Sequence, residues 1–154
     1  MDPVQEMLIE RTCEQLSLAY AYHLDFGNYD ALAKLFAEDA TLQVGRAHYR
    51  NVDEIRTGVR QRYLQQVTRH VCSNIMVDVI DETRAVGVTY VTIYRHQYEG
   101  SEPPGEIPIR GPSFIGHYED EFMLDRLGWR FASRRLNLRF RRGHTSESER
   151  TAKR

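Results

Sequence analysis

The stretch VTRHVCSNIMVDVI, residues 67–80, decides the fold, because five of its β-branched residues, Val67, Val71, Ile75, Val77 and Val79, fall on one face at even spacings. This spacing is typical of a long β-strand, in which successive side chains point to opposite faces. The same type of pattern recurs over residues 84–98, 113–124 and 129–140. Residues 81–82 and 126–128 separate neighbouring strands as hairpin turns would. The sequence therefore predicts four long strands in succession.

The part of the chain before these strands is predicted to be mostly helical. Residues 3–24 place apolar side chains at intervals of three and four, with Asp2 as the N-cap and Pro3 in the first turn. Further helices are predicted over residues 29–37 and 51–63, with a short strand over residues 40–44 between them. Helices followed by long strands predict an α+β fold: a cone-shaped, curved, antiparallel or mixed sheet wrapped around the N-terminal helices.

The length of 154 residues is that of one domain, which we place at residues 1–140. Residues 141–154, RRGHTSESERTAKR, are basic and polar, and we expect them to form a disordered tail. The arginines at the end of the last strand and the start of this tail are interpreted as a solvated strand edge and tail, with a site for an anionic partner as the alternative. They are Arg134, Arg135, Arg139, Arg141 and Arg142.

Composition excludes several classes of protein. The chain has 21 basic and 22 acidic residues, a balance that favours neither nucleic acid nor a membrane surface as a partner. It has two cysteines, Cys13 and Cys72, as expected of a reduced cytoplasmic protein. No signal peptide and no apolar stretch near the ~20 residues of a membrane span is found. The six histidines are isolated from one another, so we expect no metal site and no cofactor.

The strand faces suggest a pocket. On the first long strand, strict alternation places Thr68, His70, Cys72, Asn74 and Met76 on one face. The next strand has a tyrosine-rich face that carries Tyr90, Tyr94, His96 and Tyr98. A few polar groups among apolar and aromatic side chains are typical of a site for a small molecule.

Three segments carry a resemblance to a known family: HLDFGNYDALAKLFAEDATL (residues 23–42), TRHVCSN (68–74) and YEDEFMLDRLGWRF (118–131). Together they resemble the SnoaL-like branch of the nuclear transport factor 2 superfamily, and within it scytalone dehydratase and its bacterial relatives. The resemblance spans about residues 5–140. It implies a cystatin-like roll and acid–base catalysis without a cofactor.

The resemblance also implies site residues. A histidine on the first long strand, here His70, is the catalytic base, and an aspartate at the end of the first helix, here Asp25, orients it. Tyr49 and His96 match the positions of a catalytic tyrosine and a second histidine. A tyrosine that precedes the aspartate in the dehydratase is replaced by Leu24. We expect the substrate pocket to include Tyr22, Cys72, Asn74, Tyr90, Tyr94 and Tyr118.

An aspartate that is bonded to one imidazole nitrogen fixes the tautomer and makes the other nitrogen a better base. We therefore expect a lyase that uses this pair for proton abstraction and elimination from a small aromatic or polycyclic hydroxylated molecule. It would be dehydratase-like, or a related lyase that breaks a C–C or C–X bond. The alternatives are an isomerase or cyclase with the same base, a non-catalytic ligand-binding protein, and a subunit like the β subunit of a ring dioxygenase. In a purely structural interpretation, Asp25 belongs to a helix-ending turn and His70 is a core histidine. The uncovered sheet face predicts a homo-oligomer, a trimer or a dimer.

Overall fold

Three helices and six strands follow one another in the computed structural model, which describes residues 1–143. The helices are α1 (Pro3–Asp25), α2 (Tyr29–Ala33) and α3 (Val52–Arg62). The strands are β1 (Phe36–Val44), β2 (Ala47–Tyr49), β3 (Gln66–Asp81), β4 (Arg84–Gln97), β5 (Phe114–Asp125) and β6 (Gly128–Arg141). The four long strands that the sequence predicts are therefore confirmed, with ends within two residues of the predicted ones.

The six strands form one mixed sheet in the order β2-β1-β6-β5-β4-β3. β1 and β6 are parallel, and every other neighbouring pair is antiparallel. The sheet curves around α1, which contacts β3, β4 and β6. The predicted α+β fold is confirmed. β3, which carries His70, is an edge strand, and its neighbour is β4.

The first helix buries a narrow stripe of side chains against the sheet. Its start is capped by Asp2, whose carboxylate accepts a hydrogen bond from the backbone N–H of Val4 at 3.3 Å. The buried stripe recurs every three or four residues through Ile9, Cys13, Ser17, Tyr20 and Leu24. The helix ends at Asp25, just before Gly27 adopts a φ of 71°. Because α1 ends at this point, the Asp25 side chain lies next to β3.

The region between α1 and α3 differs from the prediction. The helix that was predicted for residues 29–37 ends at Ala33, and the chain is already a strand at Phe36. The reason is packing: Phe36 is buried, and its ring lies 5.0 Å from that of Phe131 in β6. The sequence also did not predict β2, which folds back on β1 through a turn at Gly45 with a φ of 61°.

A β-bulge divides β3 into two parts. The pairing with β4 shifts between Ser73 and Met76, and Asn74 has a φ of 46°. One extra residue exchanges the two faces of the strand. Met76 is consequently 67% exposed on the outer face. The prediction that Asn74 and Met76 share the face of His70 is wrong for this reason.

No helix of the described chain is long and apolar enough to cross a membrane. Of the tail predicted for residues 141–154, only Arg141, Arg142 and Gly143 are described, and Arg141 still belongs to β6. The prediction of disorder for the rest lies outside the described residues.

Candidate active site

Asp25 and His70 meet on the inner face of the sheet, where α1 ends against β3. Oδ1 of Asp25 lies 2.6 Å from Nδ1 of His70, and Oδ2 accepts the backbone N–H of His70 at 2.8 Å. The hydroxyl of Thr68, two residues earlier on the same face, donates to Oδ1 at 2.9 Å. The side chains of His70 and Asp25 are 1% and 7% exposed. The hydrogen bond predicted between the two is present.

This arrangement fixes the tautomer of His70. A carboxylate that receives two other hydrogen bonds is an acceptor only, so the shared proton belongs to Nδ1 of the imidazole. Nε2 then carries the lone pair, and it has no hydrogen-bond partner within residues 1–143. A buried imidazole that is held by a carboxylate and has a free Nε2 can accept a proton from a ligand.

Tyr63 is an aromatic neighbour of this pair. It is the C-cap of α3, and its ring centroid lies 6.4 Å from that of His70. Burial raises the pKa of the Tyr63 phenol, so the hydroxyl is neutral near pH 7 and can donate a hydrogen bond. The sequence did not single out Tyr63, because its position at the end of an apolar helix stripe looks like ordinary packing.

A cleft of about 420 Å³ is lined by Tyr63 and Thr68, the two neighbours of the pair, whereas Asp25 and His70 themselves do not line it. Its apolar wall combines residues of four strands, β1, β4, β5 and β6, and consists of Val44, Ile93, Phe114, Leu136 and Leu138. Its polar rim consists of four arginines, Arg46, Arg62, Arg95 and Arg141. Apolar walls with a few polar groups are the usual composition of a site for a small organic molecule.

A second cleft, of about 530 Å³, adjoins the first at the start of β3 and the end of β4. The two share Thr68 and Arg95. Residues 107–111 of the proline- and glycine-rich segment between β4 and β5 form one of its walls. The guanidinium of Arg142 donates hydrogen bonds to the backbone carbonyls of Gly111 and Pro112, at the end of this segment.

Residues 5–135 match the family described as the SnoaL-like domain. The chain belongs to this family. Comparison with curated proteins finds no match.

Solved structures share the fold of this SnoaL-like domain at low sequence identity. A candidate scytalone dehydratase from Novosphingobium aromaticivorans is 21% identical, with a TM-score of 0.78, over 95% of this chain and 94% of that one. A type 2 hexachlorocyclohexane dehydrochlorinase is 12% identical, with a TM-score of 0.75, over 90% of both chains. A candidate aromatic ring hydroxylase from N. aromaticivorans is 18% identical, with a TM-score of 0.73, over 91% of this chain and 93% of that one.

Three residues predicted to share a pocket with His70 lie on the opposite face of the sheet. In the β3–β4 register, His70 is opposite Ile93, whereas Tyr90, Tyr94 and His96 are opposite Ser73, Arg69 and Val67. Directly paired residues share a face, so these side chains point outward in the SnoaL-like domain. Tyr94 and His96 line the 530 Å³ cleft, and Tyr90 is 52% exposed. The strand patterns predicted a single pocket for all these residues, and that prediction is wrong because they lie on two faces of the sheet.

Three other predicted residues also lie away from the pair. Tyr22 is 57% exposed and packs on Phe26, because two helix positions separate it from the buried Tyr20. Asn74 is exposed at the bulge of β3. Tyr49 lines neither cleft. Its ring packs directly on Gly58 of α3, where an added Cβ would lie 2.0 Å from a ring carbon.

Cys72 and Tyr118 do face inward. Cys72 lies on the His70 face of β3, and burial raises the pKa of its thiol, which favours packing over nucleophilic attack. Tyr118 is 1% exposed, and its ring lies 5.6 Å from that of Tyr20. Both side chains belong to the packed interior of the fold.

Arg134 is a buried residue that the sequence assigned to a solvated edge, and that assignment is wrong. It is 1% exposed and donates to the two carboxylate oxygens of Asp120 at 2.7 and 2.9 Å. It also donates to the hydroxyl of Ser17 at 3.1 Å, and its guanidinium lies 4.1 Å from the ring centroid of Tyr118. Nη1 of Arg134 has no hydrogen-bond partner among the described residues. The signal for this arrangement would have been Asp120, an inward-facing acidic residue on β5 that lies opposite Arg134 on β6.

Side chains of the types that ligate metals come together in pairs at most in the described part of the chain. Within residues 1–143, no three or more His, Cys, Asp or Glu side chains come together as ligands for an ion. The chemistry that we derive below uses the side chains of the chain itself.

Proposed function

We propose that this SnoaL-like domain is a lyase that eliminates water, or a comparable small leaving group, from a hydroxylated aromatic or polycyclic molecule. One observation carries the proposal. The Asp25–His70 pair is buried, has a contact of 2.6 Å and leaves Nε2 without a partner among the described residues. A histidine that served only for packing would be expected to use both ring nitrogens.

In the proposed reaction, Nε2 of His70 removes a proton from the carbon next to a carbonyl group. The C–H electrons form a C=C bond, the bond to the β-hydroxyl breaks, and the leaving hydroxide takes the proton back from the His70 imidazolium and departs as water, which leaves His70 neutral again. Asp25 stabilises the imidazolium that forms in the first step. The neutral phenol of Tyr63 donates a hydrogen bond to the carbonyl oxygen as negative charge develops there.

The similar folds support this choice of reaction class. The names of two structural neighbours, a candidate dehydratase and a dehydrochlorinase, describe the loss of a small molecule from a substrate. At 21% and 12% identity these likenesses concern the fold, so the argument for chemistry depends on the residues of this chain.

The test is elimination from a simple β-hydroxy ketone fused to an aromatic ring. 3-Hydroxy-1-tetralone loses water to give 1-naphthol, which is fluorescent. We expect wild-type protein to accelerate this reaction and His70→Gln to lose the acceleration. His117→Gln is the matched control, since His117 lies opposite Tyr90 on the outer face. In D2O, exchange at the α-carbon without loss of water would instead indicate an isomerase. Absence of both reactions across a panel of such ketones would contradict the proposal.

A further inference from the structure

The cleft beside His70 has a one-sided distribution of charge. Of its lining residues four are arginines, and none is an aspartate or a glutamate. We call Arg46, Arg62, Arg95 and Arg141 the arginine rim. All four are solvent-exposed, so an ion in solution can reach them. The chain as a whole is nearly balanced, with a net charge of −1, so the excess is local. The adjoining 530 Å³ cleft shares it, since its lining includes Arg69, Arg95, Arg110 and Arg142 and no acidic residue.

The arginine rim is also unpaired within the described part of the chain. None of its members forms a salt bridge with a carboxylate of residues 1–143, whereas seven other arginines do. Arg95 is exposed but partly desolvated, which lowers the pKa of its guanidinium, and the positive charges of Arg62 and Arg141 lower it further. Cations that repel each other in one cleft would be stabilised by a bound anion.

The rim lies at the right place to orient a substrate. Arg95 is opposite Thr68 in the β3–β4 register, and Thr68 is bonded to Asp25. The guanidinium groups of Arg95 and Arg141 lie 4.7 and 5.5 Å from the ring centroid of Phe114, which fixes both against the apolar wall. A molecule with its anionic group on these arginines would extend its ring system along that wall toward His70.

We propose that the site takes an anionic substrate, an aromatic or polycyclic molecule whose carboxylate, or a group of similar charge, is bound by the arginine rim. This inference names the substrate class of the same site and rests on the proposed function. Arginine suits the role because its planar fork matches a carboxylate with two parallel hydrogen bonds. The apolar wall then holds the uncharged part of the molecule.

The experiment compares two probes of nearly the same shape, 2-naphthoate and its neutral amide 2-naphthamide, by isothermal titration calorimetry. We expect wild-type protein to bind 2-naphthoate at least about tenfold more tightly, with an affinity that decreases as salt is added. Arg95→Gln should weaken 2-naphthoate about tenfold and leave 2-naphthamide unchanged. Arg62→Gln, at the exposed end of α3, provides a second variant in case Arg95→Gln does not fold.

Arg139→Gln is the matched control. Arg139 is exposed on the same strand as Arg141 but does not line the cleft, so its loss should change neither affinity. Equal affinities of the wild-type protein for the two probes would overturn the proposal. An equal weakening by Arg139→Gln would overturn it as well, because the effect would then come from net charge.

Two more variants separate binding from catalysis and from neutralisation of the rim by the chain itself. Binding does not require turnover, so His70→Gln should bind 2-naphthoate like wild type, even if the proposed lyase chemistry fails.

Glu147 and Glu149 lie outside the described residues and are candidates to neutralise the rim. The double variant Glu147→Gln/Glu149→Gln should leave the affinity unchanged. Tighter binding by that variant would assign the rim to this segment of the chain and overturn the proposal.

Discussion

Arg134 on β6 and Asp120 on β5 form a two-point ion pair at 2.7 and 2.9 Å, with neither side chain exposed to solvent. Three aromatic rings surround the guanidinium, those of Tyr20, Tyr118 and Phe131, with centroids within 4.5 Å. Removing one partner would leave a buried charge without compensation. We therefore expect this buried ion pair to contribute strongly to the stability of the fold.

Breaking this pair should be strongly destabilising. We expect Arg134→Met or Asp120→Asn to lower the free energy of unfolding by about 3–5 kcal/mol in urea denaturation. The adjacent Arg135 pairs with Glu119 at 3.2 Å on the exposed side of the same strand, so it is a matched control. Arg135→Gln should cost less than about 1 kcal/mol. Similar losses for Arg134→Met and Arg135→Gln would show that the buried pair has no special role.

Tyr63, not Tyr49, should be the tyrosine that assists the reaction. Tyr63→Phe removes a hydroxyl near His70 and should lower turnover of 3-hydroxy-1-tetralone about 10- to 100-fold, up to the loss seen for one oxyanion donor. Tyr49→Phe keeps the ring that packs on Gly58 and should leave turnover within about twofold. The reverse order of effects in steady-state kinetics would return the role to Tyr49.

The folded protein should lose stability at alkaline pH. Burial raises the pKa of the Tyr118 and Tyr20 phenols well above their usual value, and burial beside Asp120 raises the pKa of Cys13 to about 12. Unfolded thiols and phenols lose their protons near pH 8.5 and 10. Above these values the unfolded state binds fewer protons than the folded state, so the stability that is complete below about pH 8 decreases as pH rises.

Melting temperature measured from pH 7 to pH 11 checks this expectation. Tyr118→Phe should flatten the alkaline decline, because it removes one buried phenol. Tyr90→Phe is the control, since Tyr90 is 52% exposed and its hydroxyl contacts water before and after unfolding. If the two variants decline in parallel with wild type, the buried phenols are not the cause.

We expect the protein to assemble into a homo-oligomer, a trimer or a dimer. The outer face of the sheet exposes a set of large apolar side chains that includes Val71, Val86, Tyr90, Ile115 and Phe140. Exposed apolar surface of this kind is typical of an interface between proteins. Val71→Asp should lower the mass measured by light scattering, while Leu127→Asp, in the exposed β5–β6 turn, should not. A monomer mass for wild type at micromolar concentration would contradict the expectation.

The fold could be predicted from the sequence because its long elements have strong local patterns. α1 and the four long strands follow helical and two-residue periods, and Asp2 caps α1 as predicted. The transition from α2 to β1 was not predictable in this way. It depends on the contact of Phe36 with Phe131, which lies 95 residues further along the chain.

The candidate site was predicted only in part for a related reason. Asp25 and His70 could be placed by their match to a family. The faces of β3 and β4 required the pairing register, and the bulge at Asn74 leaves no signal in a single sequence. In the sequence, Tyr63 resembles an ordinary packing residue and Arg134 resembles a surface residue. Their inward positions become clear only from the tertiary structure. Local patterns indicate where a strand lies, and tertiary pairing decides which side of it meets the cavity.

The role of His70 as the base is tested most directly by the His70→Gln variant, with turnover and melting temperature measured on the same preparation. We expect turnover to fall by about 10²-fold or more while the fold remains intact. Asp25→Asn should also impair turnover, and the double variant should lose little more, because the two residues act as one unit. A folded His70→Gln protein with near-wild-type turnover would contradict the account, and a lowered melting temperature with unchanged turnover would make His70 a structural histidine.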